Sequence, residues 1–78
     1  MTKNEIMNEL KEAIIAYDHE CITNGNREGS TAAYGALIRV KTIGELATRY
    51  YGVGFGYEYL NGRRHFKVYD GGVVWFSR

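Results

Sequence analysis

"YLNGRRHFKVYDGGVVWF", residues 59–76, sets two turn signals among aromatic and branched side chains. Asn61-Gly62 is the strongest two-residue hairpin signal, because both central positions of a type I′ turn need positive φ. A tight turn there fixes the pairing: Leu60 opposite Arg63, Tyr59 opposite Arg64, Glu58 opposite His65, Tyr57 opposite Phe66. Side chains alternate along a strand, so Phe55, Tyr57, Tyr59, Phe66 and Val68 share one face. The second turn, Asp70-Gly71-Gly72, keeps Val73 and Trp75 on that face whether its central pair is 70–71 or 71–72. Only a loop bulged by one residue would flip them. The expectation is a three-stranded antiparallel meander over roughly 55–60, 63–69 and 73–77.

An aromatic sheet face needs a cover, and the N-terminal third supplies one. Thr2 and Glu5 have capping-box spacing. Ile6, Leu10, Ala13, Ile14, Tyr17 and Cys21 then form one apolar stripe of helical period, with polar residues around it. This helix is expected to run to Cys21 and stop before Asn24-Gly25. Residues 23–30, "TNGNREGS", read as an exposed loop. Residues 31–41 read as a helical turn leading into an extended segment. Thr42 and Glu45 repeat the capping-box spacing, so Ile43, Leu46, Ala47 and Tyr50 form one face of a second helix over about 42–51, capped by Gly52. Gly44 is its weak point. The fold class is α+β: an N-terminal amphipathic helix and a second short helix packed on one face of a C-terminal three-stranded antiparallel β-meander.

The chain has 78 residues, 45% hydrophobic and 24% charged, the profile of one small globular domain spanning 1–78. A lone cysteine excludes an internal disulfide, and the polar start "MTKNEIMNELKE" is unlike a signal peptide. A cytoplasmic protein with no membrane partner is the expectation. Net charge is +1, far from that of a dedicated nucleic-acid binder, but its distribution is uneven. Lys3, Lys11 and Arg27 against Glu5, Glu9, Glu12, Asp18, Glu20 and Glu28 leave residues 1–36 at −3. Arg39, Lys41, Arg49, Arg63, Arg64, Lys67 and Arg78 against Glu45, Glu58 and Asp70 leave 37–78 at +4. Either two solvated faces carry opposite sign, or the basic half meets an acidic partner.

The sheet's other face carries Gly56, Glu58, Leu60, Arg63, His65, Lys67, Val74 and Phe76. Left open, it mixes basic and apolar groups as protein interfaces do. Of the seven tyrosines, Tyr17, Tyr50, Tyr57 and Tyr59 fall on core positions, leaving Tyr34, Tyr51 and Tyr69 spare. The candidate partner-binding residues are therefore Arg63, His65, Lys67, Tyr69, Val74, Phe76, Tyr51 and Tyr34.

No constellation for catalysis, a metal or a cofactor stands out. His65 faces Glu58 in a pairing better read as a surface ion pair than as an acid/base pair. Cys21 lies on the core stripe. Asp18, His19, Glu20 and Cys21 are adjacent on a helix and point about 100° apart. "GVGFG", residues 52–56, follows a helix and enters a strand, the reverse of a phosphate loop. "TIGELATRYYGVG" resembles the first part of a helix-turn-helix, but "FGYEYLNG" alternates like a strand where a recognition helix belongs. A winged-helix reading makes the 63–76 hairpin its wing.

In size and lack of catalytic equipment the chain resembles the small accessory proteins of phages and mobile elements, including anti-CRISPR inhibitors of host defence. The absent catalytic constellation, the spare tyrosines and the mixed sheet face lead to the expectation of a non-enzymatic protein acting on a protein partner. The alternative is nucleic-acid binding through Arg63, Arg64, Lys67 and Arg78, which would be steeply salt-dependent. A third reading is a homodimer joined at a sheet edge.

Overall fold

The computed structural model describes all 78 residues, Met1–Arg78. Helix α1 spans Lys3–Ile22. Its start is the expected capping box: the Glu5 N–H donates to the Thr2 hydroxyl at 3.1 Å, and the Thr2 N–H donates to the Glu5 carboxylate at 2.8 Å. The expected stripe is buried throughout, with Met7 added to it.

Helix α2 spans Thr31–Tyr51 and corrects the reading of residues 31–41. There is no extended segment and no second start at Thr42. The helix begins at Ser30, whose hydroxyl accepts the Ala33 N–H at 3.0 Å. Thr42 lies mid-helix and donates its hydroxyl to the Ile38 carbonyl at 2.9 Å. No proline interrupts the stretch. A continuous helix buries Ala33, Leu37, Val40, Gly44 and Ala47, at steps of four, three, four and three, against α1 and the sheet. That burial outweighs the few tenths of a kcal/mol lost at each β-branched residue. Ile43 is half-buried, whereas Leu46 and Tyr50, expected on the inner face, point outward. Gly52, at φ 66°, forms the left-handed cap.

Strands β1 (Gly54–Leu60), β2 (Arg63–Asp70) and β3 (Val73–Ser77) form an antiparallel meander in the order β1-β2-β3. Asn61 and Gly62 both take positive φ, 54° and 92°, as a type I′ turn requires. The β1–β2 register is the one that this turn dictates, from Leu60 opposite Arg63 to Tyr57 opposite Phe66.

The third strand departs from expectation. Asp70 pairs with Val73 and Tyr69 with Val74, but Val68 pairs with Phe76, leaving Trp75 as the extra residue of a β-bulge. The slip places Phe76, not Trp75, opposite Val68 on the helix side, where it packs against the core. Trp75 stays 40% exposed. Lys11 of α1 lies over both rings, 5.8 Å from the Trp75 centroid and 5.4 Å from that of Phe76.

The core is an aromatic seam between the layers. Phe66 meets Tyr17 edge-on at 5.2 Å and stacks on Phe55 at 5.5 Å. Cover on β1 ends at Phe55, and the strand beyond is exposed from Tyr57 to Leu60. Tyr57 and Tyr59 share the helix-facing side as expected, yet are not core: they are 54% and 58% exposed. Gly44 sets where the cover falls. A Cβ there would come within 2.8 Å of three atoms of the Phe55 ring, so α2 can lie this close to β1 only where it lacks a side chain. Gly44→Ala should therefore destabilise the protein by about 1–3 kcal/mol through overpacking, although alanine is the better helix former. Urea denaturation measures this, and a stabilised variant would contradict the packing.

A candidate protein-binding face beside β1

The arginines of the C-terminal half lead first into the protein, not out of it. Residues 23–30 form an organised loop: the Asn24 amide donates to the carbonyls of Arg27 and Glu28 at 3.1 and 3.2 Å. The Glu28 N–H donates to the Gly62 carbonyl at 2.9 Å, docking the hairpin tip on this loop. Asp18, near the end of α1, receives Arg63 Nη1 at 2.7 Å and Arg78 Nη1 at 3.3 Å. The Arg63 side chain is 2% exposed; it also donates to the Asn26 side-chain oxygen at 3.3 Å, with its guanidinium 5.4 Å from the Tyr17 ring. Arg64 Nη1 donates to both oxygens of Glu28, at 2.6 and 2.8 Å. The Tyr17 hydroxyl completes the cluster, donating to Glu28 and accepting the Arg64 N–H at 3.0 Å.

Burial works against the Glu28 charge, but hydrogen bonds from Tyr17 and Arg64 outweigh it and hold this carboxyl below its ordinary range. The bond to Glu28 raises Arg64 further. Burial, and then the bond to Glu28, raise the Tyr17 phenol well above its usual value.

These pairs change the standing of the expected site. Arg63 is buried and cannot meet a partner. Arg64 and Arg78 are paired with carboxylates. Phe76 turns to the helix side because of the bulge and, like Tyr51, packs half-buried against the core. His65, Lys67, Tyr69 and Val74 do share the outer sheet face, and Tyr34 is exposed at the start of α2. No ion pair joins His65 to Glu58 opposite it. A shallow hollow of about 280 Å³ opens over Gly56 between Tyr57, Glu58, Lys67 and Tyr69.

A larger opening lies on the helix side, where sequence reasoning placed core. Lys41, Glu45 and Thr48 of α2 and Phe55 and Tyr57 of β1 line a groove of about 420 Å³. Tyr59 continues the aromatic wall along β1. The Arg64 guanidinium, held by Glu28, lies 5.0 Å from the Tyr57 ring and 6.0 Å from that of Tyr59. Below, Tyr57 meets the buried Phe66 ring at 5.8 Å. The two exposed rings are thus braced, so little side-chain entropy remains to be lost on contact. Strand β1 is also a sheet edge with neither proline nor bulge to blunt it, whereas the bulge at Trp75 interrupts β3. Sequence reasoning missed this groove. Its signal was the doubled tyrosine on one strand face, Tyr57 and Tyr59, with a polar tip that phenylalanine lacks.

Comparison with protein-family models, with curated proteins and with solved structures finds no match for this chain. No helix is long and apolar enough to cross a membrane. No three metal-ligating side chains come together.

The Glu28 cluster has a pH signature. Because its folded carboxyl titrates below the ordinary value of 4.5, its contribution is complete above that pH and is lost as pH falls through the folded value. Glu28→Gln should flatten this acid limb and cost about 1.5–3 kcal/mol at neutral pH, the worth of hydrogen bonds to a charged group. Thermal unfolding of both proteins across the acid range measures it. An unchanged limb would place the titration elsewhere.

Proposed function

We propose that this chain is a non-enzymatic binding protein that acts by occupying another protein, an extended segment of which lies along β1 and faces α2. The observation that carries the reading is the exposure of Tyr57 and Tyr59, on the helix-facing side of an open edge strand. The free side of β1 offers backbone groups to an added strand, and alternate side chains of that strand would enter the groove between β1 and α2. Phe55 and Tyr57 form its apolar wall, with Lys41 and Glu45 at its rim. Tyrosines contribute large contact area with a polar tip, the composition of interface hot spots. Acting by occupation suits an inhibitor or accessory factor of the phage or mobile-element kind that the chain resembles. Nucleic-acid binding has less support, since Arg63, Arg64 and Arg78 are engaged by Asp18 and Glu28 and leave Lys67 alone of that set.

Affinity capture from the native cell, followed by titration of the captured partner, tests the reading. Tyr57→Ser with Tyr59→Ser should weaken the partner's binding at least a hundredfold, at about 2 kcal/mol or more per hot-spot residue. Far-UV circular dichroism should stay unchanged. Lys67→Glu, on the other sheet face, should bind normally. The opposite pattern, with the tyrosine variant bound and the Lys67 variant released, would move the contact to the outer face.

A further inference from the structure

The hydrogen-bond phase of the sheet fixes which backbone groups β1 leaves free. In an antiparallel sheet the N–H and C=O of one residue point to the same side, and those of the next residue point to the other. Phe66 exchanges both bonds with Arg78, just beyond β3: its N–H donates at 3.2 Å and its carbonyl accepts at 3.0 Å. Its backbone groups therefore point away from β1. The Arg64 N–H keeps the same phase and turns to the Tyr17 hydroxyl at 3.0 Å. Hence Tyr57, opposite Phe66, and Tyr59, opposite Arg64, make no backbone bonds to β2, and neither does Phe55, opposite Val68. Their N–H and C=O groups line the open edge. The same three residues carry the rings on the helix-facing side.

The charge beside this edge is one-sided. On the flank of α2 that lines the groove stand Lys41 and Glu45, followed one turn later by Arg49, all exposed. Glu45 is engaged by Arg49 at 3.6 Å, whereas Lys41 has no ion pair. Arg64, over the tyrosine rings, is held by Glu28. The one carboxylate of β1, Glu58, lies on the outer sheet face, opposite His65. Lys41 is the unanswered charge of the groove.

Resting on the reading that a partner strand adds to β1, we infer that this strand runs antiparallel to β1, exchanges its backbone bonds with Phe55, Tyr57 and Tyr59, and brings an acidic side chain to Lys41. Antiparallel pairing continues the order of the whole sheet and is the more stable per residue. In such a pairing the residue that exchanges bonds with Tyr57 lies directly opposite it, with its side chain on the same face. The partner residues that bond are therefore the ones whose side chains enter the groove, at every second position. Apolar side chains there meet Phe55 and Tyr57, and a carboxylate at one of these positions meets Lys41. The intervening residues face the outer side and make no bond to β1. A parallel strand would reverse the phase, turning the side chains of its bonded residues away from the groove.

Selection of random nine-residue peptides displayed on phage against the immobilised full chain, followed by titration of a synthetic selected peptide, tests the inference. Selected sequences should place apolar residues at alternate positions, with one acidic residue in the same phase. N-methylation of a residue in that phase should weaken binding about tenfold or more, and N-methylation of an intervening residue should change it little. Lys41→Glu, an exposed change, should exchange the acidic preference for a basic one. Loss at the intervening positions instead, or indifference to Lys41→Glu, with binding still abolished by Tyr57→Ser and Tyr59→Ser, would overturn the inference but leave strand addition to β1 in place. Peptides that bind the tyrosine variant equally well, or a selection that yields none, would overturn both. So would a dimer in sedimentation equilibrium that the two tyrosine changes dissociate, which would give β1 to a second copy.

Discussion

Two carboxylates, Asp18 and Glu28, decide how the two halves of this protein meet. Both come from the acidic half, and both grip consecutive arginines at the start of β2. A buried guanidinium without a partner costs several kcal/mol, so Arg63 admits few alternative dockings of the hairpin. The type I′ turn delivers Arg63 and Arg64 immediately after the reversal. The loop delivers Glu28, and α1, just before its last turn, delivers Asp18. Adjacent strand residues ordinarily point to opposite faces, yet both guanidinium groups end on the helical half. Arg63 achieves this as the first residue of its strand, where its side chain lies over the Tyr17 ring.

The uneven charge of the sequence thereby finds an internal answer. The acidic first half and basic second half are one another's partners through Arg63–Asp18, Arg64–Glu28 and Arg78–Asp18, while Lys3–Asp70 joins them with the signs reversed. The exposed Lys3–Asp70 and Arg78–Asp18 pairs contribute little, whereas Arg63–Asp18 and Arg64–Glu28 are shielded and bridge elements distant in the chain. The consequence for function is direct. A basic patch is not what remains at the end of the sheet. What remains is aromatic: Tyr57 and Tyr59, braced by an arginine that Glu28 holds in place. The interaction that closes the fold also prepares the surface proposed to bind.

Much of the architecture was legible because it depended on local rules. The positive-φ demand of Asn61-Gly62 gave the β1–β2 register residue by residue, and helical period gave the buried stripe of α1. Three features were not legible, each for a physical reason. Residues 31–41 continue one helix because Ser30 caps it and small residues such as Ala33, Gly44 and Ala47 let it lie close to its neighbours; local propensity there was divided. The bulge at Trp75 exchanges Trp75 for Phe76 on the helix-facing side, and an extra residue within a strand leaves no mark that alternation can reveal. The exposure of Tyr57 and Tyr59 depends on where α2 ends its cover of β1, a matter of the Gly44–Phe55 approach and not of pattern. The burial of individual residues differed for the same reasons: among the candidate residues Arg63 and Phe76 turn inward, and Tyr57 and Tyr59, expected in the core, turn out.

The internal pairing of the two halves is the central claim, and a double-mutant cycle between Asp18 and Arg63 tests it most directly. Asp18→Ala, Arg63→Ala and the double variant are compared with the parent by denaturant unfolding. The two losses should be strongly non-additive, the double variant being more stable than their sum implies by about 1–3 kcal/mol. Additive losses within about 0.3–0.5 kcal/mol would show that the two residues act independently, and that the halves are joined by something else.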